Sequence, residues 1–107
     1  MNDPTFVEAA KKLAERMRLE AENSPEARIA RGFRLVTSRA PSKSEIKLLA
    51  RLYQQQRLKF SKEPKKASAL LRVGDSGVDP TLPIADLAAF TVVANVIFNL
   101  DEAITIR

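Results

Sequence analysis

The sequence predicts an all-α protein, a four- or five-helix bundle wrapped on an apolar C-terminal helix. Three observations carry this. Apolar residues recur at steps of three and four, and no segment alternates with period two. Prolines stand at positions 4, 25, 41, 64, 80 and 83, and four of the six fall where a helix is expected to start. Leu87 to Leu100 is a run of 14 residues without a charge. A membrane span needs about 20 residues, so this run reads as a buried core helix. A buried strand is the rival reading, because Val92, Val93, Val96 and Ile97 are β-branched. Length favours helix, since strands seldom exceed about 10 residues.

Taken in order, the first helix is expected from Pro4 to Glu22, with Asp3 as its N-cap. Phe6, Ala10, Leu13 and Met17 make one apolar stripe along it. Asn23-Ser24-Pro25 interrupts the chain, and Ser24 is placed to cap a second helix that buries Ile29, Phe33 and Val36. Arg39-Ala40-Pro41 ends that helix. Ser42-Lys43-Ser44-Glu45 has the S-x-x-E spacing of a capping box, in which two side chains satisfy two otherwise unpaired N–H groups. A third helix then carries Ile46, Leu49, Ala50, Tyr53 and Phe60 on its apolar side. A short fourth helix starts at Pro64 and uses Ala67, Leu70 and Leu71. Val73 to Pro83 contains two glycines and two prolines and reads as an irregular loop. The last helix runs from Ile84 to about Ile104 and is apolar nearly all round, as expected of a central helix.

The length of 107 residues allows one domain. There is no cysteine, histidine or tryptophan, so disulfides, thiolate zinc sites, covalent haem attachment and histidine-based triads have no residues to build them. The chain shows no basic segment followed by an apolar one at its start, so no signal peptide is read there.

The net charge of +5 is unevenly placed. Residues 1–27 carry −2, residues 28–72 carry +11 and residues 73–107 carry −4. On the third helix Lys43, Lys47 and Arg51 are spaced by four and share a face. On the second, Arg28, Arg31 and Arg34 step by three along one side. These six are the candidate binding residues for a polyanion: nucleic acid, an acidic polysaccharide, or an acidic patch of another domain. The bland alternative is a solvated face or pairing with the acidic ends of the same chain. Aromatic residues interleaved for stacking single-stranded bases are missing, because Phe33, Tyr53 and Phe60 sit at core spacing. A helix-turn-helix across the second and third helices is conceivable, although the connection lacks the glycine often found there.

Motifs of known chemistry are weak. Ser44-Glu45-Ile46-Lys47 matches S-x-x-K without its companion motifs, and Ser44 is better read as a first-turn helix residue. Gly74-Asp75-Ser76-Gly77 has G-x-x-G spacing but no αβ pattern around it. Asp75 and Asp79 lack the spacing of a calcium loop. Asp101 and Glu102 are adjacent on a helix and point about 100° apart, which is poor geometry for paired acid–base work. Asn95 and Asn99 on the most apolar helix need partners if buried, and capping a loop or another helix end is the expected use. No catalytic residue, metal ligand or cofactor site emerges.

Several segments together resemble a known family. They are Asn2 to Ala10, Ala27 to Leu35, Arg39-Ala40-Pro41-Ser42 with Glu45, and Asn99 to Thr105. Their order and spacing resemble the C-terminal region of a planctomycete secreted-domain family of unknown function. The resemblance implies a piece of a large exported bacterial protein, often fused to a planctomycete cytochrome-c-like domain and sometimes to a lectin-like domain. It therefore implies an extracytoplasmic location and other domains of the parent protein as partners. The family supplies no catalytic residues, and its haem chemistry belongs to another domain.

The reading of the sequence is thus residues 1–107 as one helical domain of a larger multidomain protein. It is expected to be a non-catalytic interaction or packing module without a cofactor. Polyanion binding through the basic face is the alternative.

Overall fold

The computed structural model describes the backbone of residues 4–72 and 83–105, with side chains from 7 to 72 and from 83 to 100. Five helices are present: α1 (Pro4–Glu20), α2 (Pro25–Thr37), α3 (Lys43–Lys62), α4 (Pro64–Arg72) and α5 (Ile84–Thr105). The expected boundaries hold to within two residues, and the described residues contain no strand. The Asp3 cap and most of the Val73 to Pro83 loop, including the G-x-x-G segment, lie outside the described residues.

Local chemistry accounts for the starts. Ser24 has extended backbone and its hydroxyl accepts from the Ala27 N–H at 3.0 Å, while Pro25 occupies the first helical turn. At α3 the capping box is complete: Ser42 Oγ accepts from the Glu45 N–H, and the Glu45 carboxylate accepts from the Ser42 N–H at 2.8 Å. Arg39 holds that carboxylate from outside with two hydrogen bonds of 2.9 Å, and its guanidinium lies 4.7 Å from the centre of the Phe33 ring. The Arg39 hydrogen bonds, followed by the Ser42 backbone, hold the Glu45 carboxyl down at about 2. Ser38 ends α2 in left-handed backbone, φ 63°, and its N–H caps the Arg34 carbonyl.

The architecture is a ring around an axle. α1 packs on α2, α2 on α3, α3 on α4, and α4 back on α1, whereas the diagonal pairs do not pack together; α5 lies against all four. An axle must be apolar round its whole circumference, and α5 meets that demand. Asp86 to Thr91 are six consecutive buried residues, more than a full turn of about 3.6. The alanines at 88, 89 and 94 are fully buried and let neighbouring helices approach closely, while Leu87, Phe90, Val93 and Ile97 fill the intervening space. The rival strand reading of this segment therefore does not hold.

α1 and α2 approach closely at Gly32. A Cβ there would stand 2.5 Å from Met17 Sδ and 2.8 Å from Met17 Cγ, and Met17 is itself fully buried. Ties between ring members are polar. Glu20 of α1 accepts from Arg16 on its own helix at 2.6 Å and from Arg31 on α2 at 2.6 Å. Its carboxyl is held at about 2 by the Arg16 hydrogen bond, then by that of Arg31. Lys11, only 3% exposed, crosses from α1 to donate to the Leu71 carbonyl near the end of α4 at 2.8 Å. A cation there also complements the negative end of the α4 dipole.

Candidate functional site

The first turn of α5 places a carboxylate, Asp86, just ahead of the uncharged run, and the ring of helices closes over it until it is 8% exposed. A buried carboxylate needs donors. Arg18, in the last turns of α1, donates from Nε to Asp86 Oδ2 at 2.5 Å. The hydroxyl of Tyr53, halfway along α3, donates to Oδ1. Arg28 of α2 stands 3.8 Å from Oδ2 and Arg57 of α3 stands 3.9 Å from Oδ1. Four helices thus meet at one carboxylate.

Aromatic rings set the positions of two of these groups. Tyr53 stacks on Phe90 of α5, with centroids 4.3 Å apart and planes 22° from parallel, which aims its hydroxyl at Asp86 one turn earlier. The Arg28 guanidinium lies 5.9 Å from the centre of the same Phe90 ring. Burial, then the hydrogen bond to Asp86, pushes the Tyr53 hydroxyl up to about 12. The phenol therefore remains a donor across the neutral range.

These residues line a cleft of about 380 Å³ whose rim includes Asn23 and Gln54. Among the described residues Asp86 is the one acid in its wall, against Arg18, Arg28 and Arg57. The side chains of Arg18 and Arg28 are 14% and 12% exposed, whereas that of Arg57 is 52% exposed. Arg28 Nε is buried with no hydrogen-bond partner among the described residues.

The basic residues singled out from the sequence go to different places. Arg28 is drawn inward to the cleft, and Arg31 is tied to Glu20. Arg34, Lys43, Lys47 and Arg51 are exposed and have no ion-pair partner among the described residues. Lys43 and Lys47 border a second, largely apolar groove with Glu26, Pro41, Ile46 and Ala50. Asn95 is buried and Asn99 exposed. The side chains of Asp101 and Glu102, and both aspartates 75 and 79, lie outside the described residues.

Sequence reasoning missed Arg18, Tyr53, Arg57 and Asp86 as one constellation. A signal was present: an acidic residue opening an uncharged helix has to be matched by cations from its neighbours. Which cations those are depends on how the helices pack.

Residues 1–53 match a family model described as PSD1, protein of unknown function (DUF1553). The match covers α1, α2 and the first half of α3, and so includes Arg18, Arg28 and Tyr53 but neither Arg57 nor Asp86. It agrees with the resemblance of residues 2–10, 27–35 and 39–45 to a family of unknown function, while residues 99–105 lie beyond it. No curated protein and no solved structure matches the chain.

Proposed function

We propose that this chain is a non-catalytic helical module that packs against, or links, other domains of a large exported bacterial protein, with no cofactor of its own. The single observation behind this reading is the use made of Asp86. Its two oxygens accept from Arg18 and from Tyr53, and in doing so they pin α5 to α1 and α3. Both oxygens of this carboxylate are taken up by donors from neighbouring helices, so its role is architectural. The family match supports a domain of unknown function; the exported, planctomycete context rests on the resemblance of the quoted segments.

The test is association. The chain and the remaining domains encoded by the parent gene are produced separately and titrated by calorimetry. A complex of micromolar affinity is expected, and failure to associate at 100-fold higher concentration would refute the packing role. Hydrolysis of any member of a glycan panel by the isolated chain would refute the non-catalytic part.

A second reading, polyanion binding, is favoured by one observation: Arg34, Lys43, Lys47 and Arg51 are exposed and unpaired among the described residues. Arg31, paired with Glu20, and Arg28, drawn into the cleft, drop out of that face. Binding to DNA or to a sulfated glycan should then weaken steeply with added salt, because phosphate and sulfate contacts release counterions. Affinity indifferent to salt would exclude this reading.

A further inference from the structure

The cleft at the junction of α1, α2, α3 and α5 is more basic than its architectural role requires. One carboxylate neutralises one guanidinium, and Arg18 already supplies it at 2.5 Å. Arg28 and Arg57 approach the same carboxylate only to 3.8 and 3.9 Å, inside ion-pair range but beyond hydrogen-bond distance. Among the described residues the wall therefore carries two guanidinium groups in excess over its one acid. Arg28 is largely buried, rests against the Phe90 ring and keeps an Nε with no acceptor among the described residues. A buried N–H left unpaired is unfavourable, and a second anion would relieve it. Asn23 and Gln54 bring amide donors to the rim.

The geometry points to this cleft as a binding site for a small oxyanion, a carboxylate or phosphate group, held by Arg28 and Arg57. A guanidinium presents a planar fork of N–H groups matched to the paired oxygens of such ligands. The volume of about 380 Å³ suits a small molecule or a single anionic group rather than a polymer. The proposed site is separate from the exposed row of Lys43, Lys47 and Arg51. It also does not depend on the packing role proposed above, since the cleft is formed within this chain alone.

Tyr53 makes the test direct. It lines the cleft, and it is the single tyrosine of a chain without tryptophan, so intrinsic fluorescence reports this site. The probes are inorganic phosphate and citrate, titrated at low ionic strength and compared with chloride at matched ionic strength. Saturable fluorescence changes with phosphate or citrate, absent with chloride, are expected. Relative strength of the two distinguishes a phosphate from a carboxylate site. Arg57→Gln removes the most exposed of the three guanidinium groups and should weaken binding about tenfold or more, the effect of losing one hydrogen bond to a charged group. Lys62→Gln, an exposed cation on the same helix but outside the cleft, should leave affinity unchanged. The inference is overturned if the response fails to saturate, or if Lys62→Gln weakens binding as much as Arg57→Gln. Unchanged affinity in Arg57→Gln overturns it too. Thermal melts of both variants establish that they are folded.

Discussion

Asp86 is the residue whose replacement should do most damage for its size. Substitution by alanine removes an acceptor from Arg18 Nε and from the Tyr53 hydroxyl, and leaves Arg18 and Arg28 facing each other with side chains only 14% and 12% exposed. Breaking a fully buried ion pair costs about 3–5 kcal/mol, and a surface pair contributes about 0–1 kcal/mol. The cleft admits water to the arginines, so the expected loss lies between, at about 3 kcal/mol. For a domain of this size that is a large share of a total stability of about 5–15 kcal/mol. It should lower Tm by roughly 15 °C. Urea unfolding followed by far-ultraviolet circular dichroism is the appropriate assay, because urea, unlike guanidinium, does not screen charge. The m value should stay constant while the midpoint falls. A double-mutant cycle supplies the internal check: Arg18→Gln should cost less in the Asp86→Ala background than in the wild type, with a coupling of about 1–2 kcal/mol. A loss below about 1 kcal/mol for Asp86→Ala, or additive effects in the cycle, would refute the view that this carboxylate fastens the axle to the ring.

Four further outcomes are expected. Absorbance near 295 nm should show the lone tyrosine ionising near pH 12 rather than 10. Because the folded value lies above the unfolded one, its contribution is complete below pH 10 and is lost as pH rises from about 10 to 12; Tyr53→Phe should remove that part of the alkaline loss. Gly32→Ala should destabilise, since overpacking against buried Met17 costs about 1–3 kcal/mol while helix propensity returns about 1 kcal/mol. In a Met17→Ala background the sign should reverse, as measured by urea midpoints. Ser42→Ala should cost about 1 kcal/mol by removing the α3 cap. The Glu45 carboxyl is held at about 2, so its contribution persists above about pH 4.5 and disappears as pH falls toward 2, which acid titration of wild type against Glu45→Gln would show.

The helices were legible because their signals are local. Ser24-Pro25, Ser42 with Glu45, and Pro64 each act within one turn, so the sequence places α2, α3 and α4 almost to the residue. The central position of α5 was equally legible, because a helix apolar on every side has to be covered on every side. The cleft was not, because its members lie at positions 18, 28, 53, 57 and 86 and nothing in the spacing of such distant residues says they will meet. Arg28 shows the limit well. Its place in the series Arg28, Arg31, Arg34 suggests an outer face, yet a helix turns by about 100° per residue, and three steps leave a drift of about 60°. That drift carries Arg28 over the edge of α2 and into the junction with α5, while Arg34 remains exposed.

By itself the sequence determined an all-α chain, the order and limits of its helices, an apolar axle, and a basic middle between acidic ends. Each of these follows from interactions within a turn or from composition. The tertiary structure alone decided that four outer helices close into a ring around α5, and that Asp86 is a common polar contact of three of them, α1, α2 and α3. It also decided which cations are neutralised and which remain unpaired. Those outcomes depend on how side chains distant in sequence are brought within a few ångströms, and only packing settles that distance.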